Sequence, residues 1–216
     1  MTSLMLPSRQ PSTMCNLRRQ SGIEKLSVAP GFYSRDESDW IYRCLLQQQK
    51  WPLNFYEVAG RRFELPRLQT WHADDGIVYS YSNNLLRTLP WTDLLLSIRR
   101  RVEDFVGHEF NAVLVNYYRN GDDYVGWHSD DEMEMGREPV IASLSLGQAR
   151  PFQVRPAGSK LSDAVPDTES VLLESGDLLL MEAGFQQLWE HRVPPQTETL
   201  EGRINLTFRH VLPPQT

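Results

Sequence analysis

From Asn111 onward the sequence breaks into short β-type runs, at 112–118, 141–146, 151–155, 170–173, 178–182, 189–193 and 204–211, with no helical periodicity between them. Asn120-Gly121, Gly147-Gln148, Ser175-Gly176-Asp177 and Pro194-Pro195 supply the turns. A parallel sheet needs a crossover helix between successive strands, so this half of the chain is restricted to antiparallel pairing, and strands that each need one buried face point to a two-sheet sandwich. Helical patterns come earlier. Trp40, Ile41, Cys44, Leu45 and Gln48 recur at three-to-four spacing behind Ser34, an N-cap, predicting a helix over 36–49. Pro90 opens a second, with Leu94, Leu95, Ile98, Val102, Phe105 and Val106 on one face and Gly107 as its C-cap. The expected fold class is an all-β core with flanking helices on one side.

With 216 residues, 40% of them hydrophobic, the chain has material for one core, and no repeat or Gly/Ser linker divides it. Residues 23–216 are read as one domain. Residues 1–22 carry Arg9, Arg18 and Arg19 without an acid, interrupted by Pro7 and Pro11, and read as a disordered tail rather than a transit peptide. The apolar runs at 171–173 and 178–181 fall far short of the roughly 20 residues of a membrane span, so no membrane partner is expected. Cys15 and Cys44 form neither a zinc knuckle nor a disulfide framework, which predicts an intracellular protein, cytoplasmic or nuclear. A net charge of −6 argues against bulk electrostatic attachment to nucleic acid but leaves room for local basic patches.

His128 and Asp130 lie two apart, the spacing at which side chains on an extended segment point the same way, and His191 can join them from another strand. Two imidazoles and one carboxylate occupy one face of an octahedron and leave positions for a chelating cosubstrate and dioxygen. The alternative is that these are surface groups or hydrogen-bonded core histidines. In the last strand Ile204, Leu206 and Phe208 alternate with Arg203, Asn205, Thr207 and Arg209. The polar face is either a solvated edge or a donor set for a small dicarboxylate, held fork to carboxylate. Asn116 and Tyr118 share a face of the 112–118 strand and add two further donors.

Five segments in order, Asn116-Tyr117-Tyr118, His128-Ser129-Asp130-Asp131-Glu132, Ile141 through Gly147, His191, and Arg203 through Arg209, resemble the AlkB family of iron(II)- and 2-oxoglutarate-dependent nucleic-acid dealkylases. Pro66-Arg67 and Tyr79-Ser80-Tyr81-Ser82 are similar to the animal homologues that repair alkylated DNA and RNA. The resemblance implies a double-stranded β-helix, or jelly roll. It implies Fe(II) on His128, Asp130 and His191, and 2-oxoglutarate among Asn116, Tyr118, Arg203, Asn205, Thr207 and Arg209, with Arg203 at the distal carboxylate. It also implies a reaction in which O2 and 2-oxoglutarate hydroxylate an N-alkyl carbon of bases such as 1-methyladenine and 3-methylcytosine. The product collapses to the bare base and an aldehyde, while 2-oxoglutarate leaves as succinate and CO2.

On the substrate side, Tyr79 and Tyr81 match the position that stacks on a flipped base, against the plainer reading of cross-strand aromatics. Trp71 and His72 are candidates for the mouth of the site or for the core, and Arg61, Arg62, Arg67 and Arg87 for phosphate contacts. Asp131 and Glu132 are either a solvated acidic turn or a carboxylate pair that recognises the positive charge of an N1- or N3-methylated base. The expected partner is alkylated DNA or RNA, single-stranded, met by a monomer. The alternatives are a 2-oxoglutarate-dependent hydroxylase of a protein side chain or modified tRNA base, and a nucleic-acid-binding module that has lost turnover.

Overall fold

The computed structural model describes residues 16–212 apart from 59, 78–79, 82–83, 86, 160–167 and 199–200, and describes the backbone but not the side chains of 58, 80, 81, 84 and 85. Two sheets face one another. The larger has the strand order Arg18–Arg19, Leu26–Ala29, Leu178–Met181, Ile141–Gly147, Arg203–Arg209, Ala112–Tyr118, Leu68–Ala73 and Thr88–Leu89. The smaller runs Val125–His128, Trp189–Val193, Arg150–Pro156 and Glu169–Leu173. Neighbours far apart in sequence, such as Ile141–Gly147 beside Arg203–Arg209, make this the expected jelly roll rather than a meander. Pairing is antiparallel except at one edge, where Thr88–Leu89 lies parallel to Leu68–Ala73, a pairing the antiparallel expectation did not include. A separate hairpin joins Phe55–Val58 to Arg61–Glu64.

The two predicted helices form as Arg35–Gln48 and Asp93–Val106. The first begins with a capping box: Ser34 Oγ accepts from the Glu37 backbone N–H at 3.4 Å, and Glu37 Oε2 accepts from the Ser34 N–H at 2.8 Å. The second is capped by Thr92 rather than at Pro90, and ends on Gly107 in the left-handed conformation. Both bury their apolar stripes on one face of the larger sheet. Ile41, Leu45, Leu95, Ile98 and Val102 meet Val113, Val115, Leu144, Leu206 and Phe208 there. Each such fully buried side chain contributes about 1.5–3 kcal/mol from desolvation. The opposite face of the same sheet, through Trp71, Leu114, Ile141, Leu179 and Met181, packs on Phe152, Val154 and Leu173 of the smaller one.

This arrangement decides the fate of the last strand. All of Arg203–Arg209 is buried, with Ile204, Leu206 and Phe208 under the helices. Its polar alternates therefore turn toward the space between the sheets, and the solvated-edge reading is excluded. The stretch read as a tail also needs revision. Arg18 and Arg19 pair with Val28 and Ser27 and begin the sheet, because Leu26–Ala29 leaves an edge whose backbone groups they satisfy. Residues 1–15 lie outside the described residues.

Candidate active site

The smaller sheet brings the distant histidine home. Val125–His128 and Trp189–Val193 are adjacent strands in which His128 and His191 are direct cross-strand partners, with ring centroids 4.3 Å apart. Asp130 follows just beyond the strand end, its backbone N–H held by the buried Gln186 Oε1 at 3.0 Å. The His128 and His191 Nε2 atoms lie 3.8 and 3.9 Å from the Asp130 carboxylate oxygens, and one ligand atom from each residue falls within 4.8 Å of the other two. This is the span of three ligands around one divalent ion.

The protonation states suit a cation. His128 Nδ1 sits 2.8 Å from the Gly126 carbonyl, which can only accept, so Nδ1 carries the proton and Nε2 presents its lone pair. Burial, reinforced by His128, pushes His191 down to about 3, so its imidazole is neutral at physiological pH. Its ring is stacked on Phe152 at 5.2 Å. Burial alone would raise Asp130, yet Arg209, whose Nη2 donates to Oδ1 at 2.8 Å, outweighs it together with both histidines and holds the carboxyl well below the usual range.

Away from the triad, the cleft between the sheets is lined by Asn116, Tyr118, Arg203, Asn205, Thr207 and Arg209, together with Arg67. Register explains the grouping: Asn116 and Tyr118 lie directly opposite Asn205 and Arg203 on neighbouring strands. Thr207 Oγ1 donates to Asn205 Oδ1 at 2.9 Å, and Asn205 Nδ2 donates to Ser143 Oγ at 2.7 Å. Arg203 is 2% exposed and donates through Nη2 to Ser145 Oγ at 2.9 Å, while Nε and Nη1 find no acceptor among the described residues. Burial pushes its guanidinium down to about 10, so it remains charged at neutral pH. A buried cation with two unsatisfied donors is a receptor for a carboxylate. The residues therefore fit both a divalent metal and a dicarboxylate that reaches from it to Arg203.

Several substrate-side expectations are placed differently. Arg67 is 5% exposed in the cleft, donating through Nε to Asn116 Oδ1 at 3.0 Å and through Nη1 to the Tyr124 carbonyl, so it is not a surface phosphate contact. Its bond turns the Asn116 amide N–H groups away from Arg67. Trp71 is 1% exposed in the core between the sheets rather than at the mouth, because it neighbours Leu114 on an interior strand. His72 is likewise buried, between the Pro90 carbonyl and Gln49. Asp131 is exposed and Glu132 half-buried. Neither lines the cleft as described, since the extended run ends where the Met135 N–H closes on the Glu132 carbonyl at 2.9 Å. Tyr79 lies outside the described residues, as does the side chain of Tyr81, whose backbone joins the short Ser80–Tyr81 strand. Arg61, Arg62 and Arg87 are exposed.

Sequence reasoning missed Ser143, Ser145, Gln186 and Phe152. The serines alternate along Ile141–Gly147 and face the last strand, a signal that was present in the pattern. Gln186 had none, because it reaches Asp130 across 56 residues of sequence.

Comparison with known proteins agrees with this geometry. A model of the 2OG-Fe(II) oxygenase superfamily matches residues 25–209. The alpha-ketoglutarate-dependent dioxygenase alkB homolog 3 of Homo sapiens is 38% identical over 197 residues, 89% of this chain and 68% of that protein. The DNA oxidative demethylase ALKBH2 of Mus musculus is 36% identical over 186 residues, 84% of this chain and 78% of that one. A solved structure described as "The structure of OsALKBH1" superposes with a TM-score of 0.57 at 21% identity, covering 90% of this chain and 100% of that chain, and supports the fold.

Proposed function

This chain belongs to the 2OG-Fe(II) oxygenase superfamily, and from that premise we propose that it removes small alkyl groups oxidatively from the bases of DNA or RNA. It is a dioxygenase whose cofactors are Fe(II), 2-oxoglutarate and O2. The nucleic-acid substrate rests on relatives that include a DNA oxidative demethylase. The observation that carries the site assignment is the joining, in one buried cleft, of the His128, Asp130 and His191 triad to Arg203 with its unsatisfied donors.

His128, Asp130 and His191 would hold the metal, and Arg203 the distal carboxylate, with Tyr118 beside it. When bound, Fe(II) and 2-oxoglutarate supply an O2-dependent hydroxylation of the N-alkyl carbon, with succinate and CO2 as coproducts. The protein's own part is positioning. Arg209 fixes the Asp130 carboxylate, Gln186 fixes its backbone, and the Gly126 carbonyl sets the His128 tautomer. Arg67 turns Asn116 so that its N–H donors are available to the cosubstrate. The apolar wall of Leu114, Phe152 and Met181 limits water in the cleft.

On the substrate side the proposal is a single-stranded nucleic acid bound by a monomer that works inside the cell, in the cytoplasm or nucleus. Exposed Arg61, Arg62 and Arg87 reach phosphates, and Tyr79 and Tyr81 stack on the flipped base. No helix among the described residues is long and apolar enough to cross a membrane. The test is a panel of single- and double-stranded DNA and RNA, each with one methyl lesion, beside methylated peptides, read by succinate and formaldehyde together. Matched release of both on methylated nucleic acid, greatest on single strands, is the expected result. Succinate formed with the peptides alone would replace this reading with that of a protein hydroxylase.

A further inference from the structure

Arg150 is a buried cation that none of the site's chemistry has used. It is 1% exposed, on the first residue of Arg150–Pro156, and does not line the cleft. Its Nη1 donates to the Asn120 carbonyl at 3.1 Å, and its Nη2 to those of Asp123 at 2.9 Å and Pro194 at 2.6 Å, while Nε has no acceptor. The nearby Asp123 carboxylate is taken by Arg119, at 2.8 Å to Nε and 2.9 Å to Nη2. Among the described residues no carboxylate forms an ion pair with Arg150 or with Arg203.

The two guanidiniums share Tyr118. The Arg150 Cζ stands over its ring at 5.6 Å from the centroid and the Arg203 Cζ at 5.3 Å. Two buried positive charges thus flank one ring at the end of the cleft remote from the Arg209–Asp130 pair; among the described residues neither is ion-paired, and the Asp123 carboxylate, bound to Arg119, offsets only part of the charge on Arg150. Like charges placed together away from water cost stability unless an anion joins them.

We propose that Arg150 is a positioning residue for the cosubstrate, which adds a second positive charge behind Tyr118 and Arg203 and thereby sets the preference for a 2-oxo dicarboxylate over a 2-oxo monocarboxylate. Its three carbonyl bonds also tie the 120–123 turn to Pro194, holding Tyr118 in register with Arg203. The proposal rests on the reading that Arg203 receives the distal carboxylate. It differs from that reading in assigning part of the selectivity to a residue that touches no ligand.

The experiment is calorimetric titration of the Fe(II)-loaded protein without oxygen, using 2-oxoglutarate and, as the ligand without a distal carboxylate, 2-oxobutyrate. Arg150→Gln keeps donors for the carbonyls but removes the charge, and Arg150→Lys keeps the charge. The affinity ratio of 2-oxoglutarate to 2-oxobutyrate is expected to fall about tenfold in Arg150→Gln and to stay within about threefold of wild type in Arg150→Lys. Should Arg150→Gln fail to fold, Arg150→Met carries the same comparison. An unchanged ratio in the neutral variant, with both ligands weakened equally, would show that Arg150 only supports the fold and would overturn the proposal. Arg203→Gln separates the two levels: if that variant keeps the wild-type ratio, the placement of the distal carboxylate itself is wrong.

Discussion

Asp130 is the residue on which the proposed site turns, because it is both a candidate metal ligand and the counter-ion to Arg209. Its depressed pKa means that its contribution to stability is present above the unfolded carboxyl value and is lost as pH falls through the folded one. Asp130→Ala should abolish Fe(II) binding and also lower the stability of the metal-free protein by about 3–5 kcal/mol, since it leaves Arg209 buried without its carboxylate; denaturant unfolding of the two apoproteins checks this. His191 acts in the same direction but in a higher pH window. Its folded pKa, near 3, lies below the unfolded value, so the unfolded chain binds the extra proton on acidification. Between pH 7 and pH 5 His191 alone should cost the apoprotein about 2 kcal/mol, and His191→Gln should flatten that slope in urea titrations. Arg203→Lys keeps the charge but loses the planar fork, and should weaken 2-oxoglutarate binding by about 1.5–3 kcal/mol, the worth of a hydrogen bond to a charged group. Unaltered affinity would mean that the fork meets no carboxylate.

Among the elements, the Ile141–Gly147 strand does most to align the cosubstrate groups, and its last residue shows how little room remains. Gly147 pairs with Arg203 at φ 86°, and a Cβ there would lie 2.5 Å from the Gly202 carbonyl oxygen. Gly147→Ala should cost about 1–3 kcal/mol in backbone strain and, by displacing Arg203, weaken 2-oxoglutarate more than 2-oxobutyrate; thermal unfolding and ligand titration read the two effects. Elements of this kind were legible where one face met a core and the other did not. The Trp189–Val193 strand and the helix behind Ser34 follow the periodicity closely, whereas Ala112–Tyr118, buried along nearly its whole length, was legible as a β-branched and aromatic run. Leu26–Ala29 and Leu68–Ala73 escaped it because both of their faces are buried, so alternation is absent. In Leu68–Ala73 the polar Thr70 and His72 are tolerated because Gln49, outside the sheet, bonds to both. Such long-range satisfaction leaves no local signal. The triad was legible as residue types, but the pairing of His128 with His191 is a property of the topology.

At the scale of the whole molecule, the jelly roll separates two tasks. Helices cover one face of the larger sheet and stabilise it, while the polar face of its central strand is kept for ligands against the smaller sheet. The net charge of −6 means that a polyanionic substrate must be met by local arginines, so affinity for oligonucleotides should fall only shallowly with added salt, a few phosphate contacts at most, in fluorescence anisotropy. The central claim is that this buried cleft oxidises an N-alkyl group on a nucleic-acid base. It is tested most directly by the intact mass of a single-stranded oligonucleotide carrying one 1-methyladenine, incubated with Fe(II), 2-oxoglutarate and O2. The account predicts that the wild-type protein restores the mass of the unmethylated strand, with one succinate formed per methyl group lost, and that Asp130→Ala leaves the strand unchanged. A methylated strand that persists with the wild-type protein while succinate accumulates, or demethylation that survives in Asp130→Ala, would contradict it.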